Sequence, residues 1–344
     1  MPKYPEEEEP VTFIVRNRSD YDRLFAMYMD VKKLHFYDAK SNMSSDIEEE
    51  KEAPSSSTAQ PDVAAVRFRC KVGDAGISRE FMLEQLPKFL AVYDQRPNRT
   101  NIYGTGIHHQ FALWCVLKHV RPLHVIESGI KLGLGTWLLR QAAPEAQLIL
   151  IDPANRRLVY RDQANETLYF TGEQFQDFGH IDFFHPAYRI DKARTLVFFD
   201  DHQNEIARAR QAYEKGFIHL MFDDNYSPDM EENPINHAFD NFSFKMACRS
   251  MMLNFTKGKG GGSKALIRSL FNGERAEVYW EMPAIWNVPW AGGNALFKEA
   301  KTIQEAMALA HHTITRQIVP EEQNYVHIAY VKLRPNPNPR RRAP

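Results

Sequence analysis

The sequence predicts an α/β protein built on a doubly wound, mostly parallel sheet with an antiparallel edge strand. Three observations point there. His124 to Asp152 reads as one β-loop-α-β unit: an apolar run ending in Glu127, a loop with glycines at 129, 133 and 135, a helix-like segment, and a second apolar run closing on Asp152. Further short apolar runs then alternate with helical segments, the pattern of a parallel sheet covered on both faces. Lastly, the long run from Tyr325 to Leu333 suits an antiparallel partner for Ala276 to Met282 at the sheet edge.

The elements follow in order. A charged tail leads to a short strand over Val11 to Val15 and a helix from the N-cap Ser19 to about Lys33, with Tyr21, Leu24, Phe25, Tyr28 and Met29 on one packing face. Residues 39–62 are rich in Ser, Glu, Pro and Ala and nearly free of large apolar residues, as a disordered linker is. Ordered character resumes at Val63. Ile77 to Tyr93 and His109 to His119 have helical periodicity, joined by a Gly- and Asn-bearing turn region from Arg96 to Gly106. Beyond the central unit come strands at Thr167 to Thr171, Leu196 to Phe199 and His219 to Phe222, a helical turn at Glu173 to Phe178, and a helix from Glu205 to Lys215 closed by Gly216. Phe242 to Phe255 and Ala300 to His312 read as helices. The resulting organisation is an N-terminal extension (1–38), a linker (39–62), an α/β domain (63–333) and a Pro- and Arg-rich disordered tail (334–344).

Composition narrows the partners. Lys+Arg 43 against Asp+Glu 44 leaves a net charge of -1, so no global field favours nucleic acid or an anionic membrane. No window approaches the roughly 20 apolar residues of a membrane span, and no apolar leader opens the chain, so a cytoplasmic location is the expectation. Cys70, Cys115 and Cys248 lack disulfide or metal-ligand spacing and suit buried thiols in a reducing compartment. Without an entry signal, sequons such as those at Asn17, Asn42, Asn98, Asn165, Asn241 and Asn254 read as chance.

Two constellations carry chemistry. In the glycine loop, Gly129 and Gly133 would let the backbone approach a ligand, while Glu127 and Asp152 offer acceptors for hydroxyls or an amino group. The second is L-V-F-F-D-D-H-Q at 196–203 with H-L-M-F-D-D-N-Y at 219–226. Strands of a doubly wound sheet end on one rim, so Asp200, Asp201, Asp223 and Asp224 would converge around a cation, with Asn225 beside them. Hard oxygen donors suit Mg²⁺. Separate N-caps or solvated strand ends are the plainer alternative.

The E-x-G-x-x-x-G spacing from Glu127 resembles motif I of class I S-adenosylmethionine-dependent methyltransferases, which are Rossmann-like, more than the G-x-G-x-x-G of dehydrogenases. That resemblance implies a cofactor site of Glu127, Gly129, Gly133, Thr136 and Asp152, with Asp152 on the ribose hydroxyls. The F-D-D-H and F-D-D-N runs resemble the metal-ligand pairs of catechol O-methyltransferase-like enzymes, and the acidic clusters of metal-dependent sugar O-methyltransferases and cephalosporin-hydroxylase-like proteins. The likeness spans Val125 to about Tyr226. It implies metal-assisted methyl transfer to a hydroxyl of a small-molecule or glycan acceptor, with Asp201 and Asp224-Asn225 as ligands and Asp200 and Asp223 as alternates. An iron-dependent oxidoreductase or a non-catalytic binding module are the other readings. The catechol enzymes carry a lysine three residues after the ligand Asp. Here Asn204 stands at that place, so a different base is needed, and His202 is the nearest candidate.

The remaining signals are weaker. Lys257 to Lys264 lacks the order of a phosphate-binding loop. Trp280, Trp286 and Trp290 could stack on a ring but suit core packing better. The adjacent His311 and His312 point apart on a helix, and Arg340 to Arg342 is too short for a nucleic-acid site.

Overall fold

The chain divides into two units, Met1–Ala64 and Ala65–Pro344. The computed structural model describes residues 73–97, 105–154, 158–164, 166–223, 225, 243–245, 275–288, 294–310 and 327–339, all in the second unit. The elements predicted before residue 73, Asp224, most of the 242–255 helix, the 257–264 loop, Trp290, His311, His312 and Arg340 to Arg342 lie outside the described residues.

Two helices, α1 (Arg79–Tyr93) and α2 (Ile107–Val120), precede β1 (His124–Ser128), α3 (Leu134–Ala142), β2 (Gln147–Asp152) and β3 (Leu168–Thr171). Then come β4 (Thr195–Phe199), α4 (Glu205–Lys215), β5 (His219–Phe222), β6 (Ala276–Glu281), β7 (Ala284–Trp286), β8 (Ala295–Phe297), α5 (Ile303–Leu309) and β9 (Ala329–Leu333). Local chemistry sets several ends. The Ser78 hydroxyl accepts from Phe81 N–H to start α1, Asn204 caps α4 through Ala207 N–H, and Gly216 ends α4 at φ 87°. Of the predicted 173–178 turn only Glu173 and Gln174 are helical, within a 3₁₀ turn over Gly172–Gln174.

The seven-stranded sheet runs β3-β2-β1-β4-β5-β9-β6. β1 to β5 are parallel. β9 is antiparallel to both β5 and β6, pairing with β6 as expected, but it lies between them and leaves β6 at the edge. Strand residues alternate between two cores, as a period of two requires. Val125, Leu148, Leu150, Leu196 and Phe198 face the core shared with α1, α2, α3 and α5. Ile126, Ile149, Ile151, Val197 and Phe199 face the core shared with α4. Burial on both faces explains why these strands read as continuous apolar runs.

A small parallel pair, β7 and β8, was not legible in the sequence. It packs near α2, where Ile285 N–H donates to His108 Nδ1 and Trp286 lies 4.0 Å from the His108 ring, so Trp286 is a core residue. Burial also pushes the Cys115 thiol up. Residues 334–339, expected in a free tail, are tied down: Arg334 N–H donates to Arg275 O, and Asn336 Nδ2 to Tyr213 O. No helix among the described residues is long and apolar enough to cross a membrane.

Candidate functional site

β1 to β5 point the same way, so their carboxyl ends form one rim. The chain winds outward from β1 through β2 to β3, then returns to lay β4 on the other side of β1. The order therefore reverses between β1 and β4, the place where an open α/β sheet leaves a ligand crevice. Ser128, Gly129, Asp200 and Asp201 stand there, and Asp200 N–H donates to Ser128 O at 2.8 Å.

The loop from β1 to α3 has three residues in the left-handed region, Gly129 at φ 101°, Lys131 at 53° and Gly133 at 91°. A Cβ on Gly129 would stand 2.0 Å from Asp200 O, and one on Gly133 2.1 Å from Tyr160 O. Both glycines are thus required by the close approach of the chain's own backbone. Asp152 braces the turn. Its Oδ2 accepts from the amides of Ile130 and Lys131, both at 2.9 Å, and its Oδ1 from Ala154 N–H at 2.7 Å. A carboxylate offers about four acceptor positions, so Oδ1 keeps capacity for a ligand hydroxyl.

A strap over residues 158–160 covers the loop from the other side, with Val159 and Tyr160 amides donating to Leu132 O. Asp162 anchors it to α3: Arg140 donates to both oxygens at 3.0 and 2.8 Å, and Thr167 and Tyr160 donate as well. Burial would raise the Asp162 carboxyl, but the hydrogen bonds from Arg140 and Thr167 outweigh it and hold it low.

Glu127 points inward. It is 1% exposed, and Thr136, itself fully buried, donates to its Oε2 at 2.5 Å. Burial pushes its carboxyl up to about 8, against the opposing pull of the Thr136 bond, so it is protonated at neutral pH. Glu127 and Thr136 form an internal pair that seats the first turn of α3. Gly135 makes that seat possible, because a Cβ there would stand 2.3 Å from Glu127 Oε1.

Among the described residues, which leave out Asp224, the acidic side chains at the strand ends do not gather into one cluster. Alternation carries past the last strand residue and sends neighbours to opposite faces. Asp200 turns to α2, accepting from Thr105 Oγ1 at 3.0 Å. Asp223 turns the same way and meets His109 Nδ1 at 2.6 Å. His109 Nε2 accepts from His327 N–H at 2.8 Å, which places the ring proton on Nδ1, donating to Asp223. Asp201 turns to α4 instead. Its Oδ2 accepts from Ser128 Oγ at 2.7 Å and pairs with Arg208 at 2.8 Å. Asn225 is occupied by Lys245 N–H and the Tyr279 hydroxyl. Among the described residues no group of three or more His, Cys, Asp or Glu is placed to hold a metal ion. The donors Asp200, Asp201, Asp223 and Asn225 therefore do not fit a divalent cation, Mg²⁺ or iron, as one set.

His202 is half-buried and takes φ 54° in the step from Asp201 to the cap of α4. A non-glycine residue held in the left-handed region is uncommon, and such positions cluster at functional sites.

Arg208, Asp177, Ser128, Thr105 and His109 were not singled out from sequence. Arg208 carried a signal: it lies on the face of α4 that buries Ile206, Ala209 and Ala212, where a cation needs an acidic partner.

No protein-family model and no curated protein matches the chain. Solved structures overlap it in part. A protein from Klebsiella pneumoniae assigned as an O-methyltransferase is 14% identical, with a TM-score of 0.30, over 52% of this chain and 79% of that one. An O-methyltransferase from Bacillus cereus in complex with SAH is 14% identical, with a TM-score of 0.28, over 58% of this chain and 80% of that one. Human N-acetylserotonin methyltransferase in complex with SAM is 10% identical, with a TM-score of 0.25, over 52% and 51%. With TM-scores this low, the fold rests on the strand order itself.

Proposed function

We propose that the chain is an S-adenosylmethionine-dependent methyltransferase that binds its cofactor at the β1–β4 switch point and transfers the methyl group to a hydroxyl of a small-molecule or glycan acceptor. The observation that carries this reading is the glycine loop clamped between Asp152 and the 158–160 strap beside that crevice. When bound, the cofactor supplies an electrophilic methyl on its sulfonium. Asp152, with acceptor capacity left on Oδ1, would take a ribose hydroxyl. Ser128, Gly129 and Asp200 form the floor between the two strands. His202, at the same rim, would take the proton of the acceptor hydroxyl as the methyl group leaves sulfur for oxygen. A carbohydrate acceptor is favoured by the resemblance of the strand-end clusters to sugar O-methyltransferases.

The second reading is a cofactor-binding module without turnover, favoured by the protein partners of Asp200, Asp201 and Asp223 at the rim. Labelled-methyl transfer over a panel of sugars, catechols and other alcohols separates the two. Transfer to a hydroxyl supports the methyltransferase, whereas cofactor binding with no transfer to any acceptor favours the module.

A further inference from the structure

We propose that Arg208 is the resident cation of the rim, neutralising Asp201 where a divalent ion is the expectation, so that this carboxylate holds no metal. Arg208 is 6% exposed and reaches from α4 to three groups. It donates to Asp177 through both terminal nitrogens, at 3.0 and 2.7 Å, pairs with Asp201 Oδ2 at 2.8 Å, and donates to Gln211 Oε1 at 2.9 Å. Ser128 Oγ donates to the same Asp201 oxygen at 2.7 Å, which ties the end of β1 into the network. The other oxygen, Oδ1, faces the Gln203 amide at 3.3 Å.

A small divalent ion needs several oxygens at about 2.0–2.1 Å in near-octahedral array. Asp201 Oδ2 already receives two donors, and Asp200 and Asp223 turn to the opposite face of the sheet, so among the described residues the carboxylate that shares a partner with Asp201 is Asp177. That carboxylate is held by the same guanidinium. A guanidinium cannot shed its proton to make way. Displacing it would strand a buried cation whose Nε has no hydrogen-bond partner among the described residues. Burial opposes the charge on Arg208, but Asp177 and Asp201 outweigh it and raise its affinity for the proton. A carboxylate pair bridged by a planar fork is the geometry at which Arg excels.

The role of Arg208 rests on the ion-pair geometry and is independent of methyl transfer. The test is direct Mn²⁺ binding, read by loss of the free-ion electron paramagnetic resonance signal, on the full chain. The wild type should take up no Mn²⁺ that depends on Asp201, so its titration and that of Asp201→Asn should superimpose. Arg208→Met frees Asp177 and Asp201 and should gain Mn²⁺ affinity by at least roughly ten-fold, lost again on adding Asp201→Asn. Wild-type Mn²⁺ binding abolished by Asp201→Asn would overturn the proposal. So would a folded Arg208→Met protein that binds Mn²⁺ no better than wild type. Should Arg208→Met fail to fold, the wild-type and Asp201→Asn pair decides alone.

Discussion

Gly135→Ala sets two effects of opposite sign against each other. Gly135 is in the first turn of α3, where replacing glycine by alanine ordinarily stabilises a helix by about 1 kcal/mol. Here the new Cβ would stand 2.3 Å from Glu127 Oε1, against the 3.0 Å that real contacts keep. The carboxyl cannot swing clear, being 1% exposed and held by Thr136. Overpacking of this kind costs about 1–3 kcal/mol, and breaking the Thr136 bond to a buried group about 1–3 kcal/mol more. The net expectation is destabilisation by about 1–5 kcal/mol, a fall in Tm of roughly 2–9 °C for a domain of this size. In a Glu127→Ala background the obstacle is gone, and Gly135→Ala should become neutral or stabilising. Thermal or urea unfolding of the four proteins in this cycle measures the coupling. A rise in Tm for Gly135→Ala in the wild-type background would refute the inward placement of Glu127.

Two further expectations concern the same rim. The folded protein holds the Glu127 proton up to about pH 8, whereas the unfolded chain releases it near the ordinary value of 4.5. Stability from this group is thus complete below pH 4.5 and lost as pH rises through 8. Glu127→Gln should flatten the decline between pH 5 and 9 in denaturant titrations and leave cofactor affinity nearly unchanged; an unaltered pH profile would remove the buried-acid assignment. His202→Gln should lower kcat by about 10²-fold or more while leaving cofactor Kd alone, and full activity in that variant would exclude His202 as the base.

The fold was legible because its strands are short, apolar and evenly spaced, and because Asn204, Gly216 and the 129–135 glycines punctuate it. The antiparallel pairing of β9 with β6 was legible too, but its place beside β5 depends on long-range packing that periodicity does not encode. β7 and β8, three residues each, are too short for any period to register. At the site, the rim position of the acids was readable while their directions were missed. Pleat parity held the missing information: Phe199 faces the α4 core, so Asp200 turns to α2 and Asp201 to α4. The same parity puts Glu127 on the side of Val125, under α3. Partners on distant elements, such as Arg208 for Asp201 and His109 for Asp223, are set by tertiary contact and leave only faint traces in sequence.

Calorimetric titration with S-adenosylmethionine, on the wild type and on Asp152→Ala, tests the central claim most directly. Asp152 both braces the loop amides and offers the remaining acceptor position, so its loss should weaken binding by about ten-fold or more, with or without a chelator present. The account predicts saturable binding to the wild type and that weakening in the variant. Absence of binding to the wild type, or equal affinity in Asp152→Ala, would contradict it.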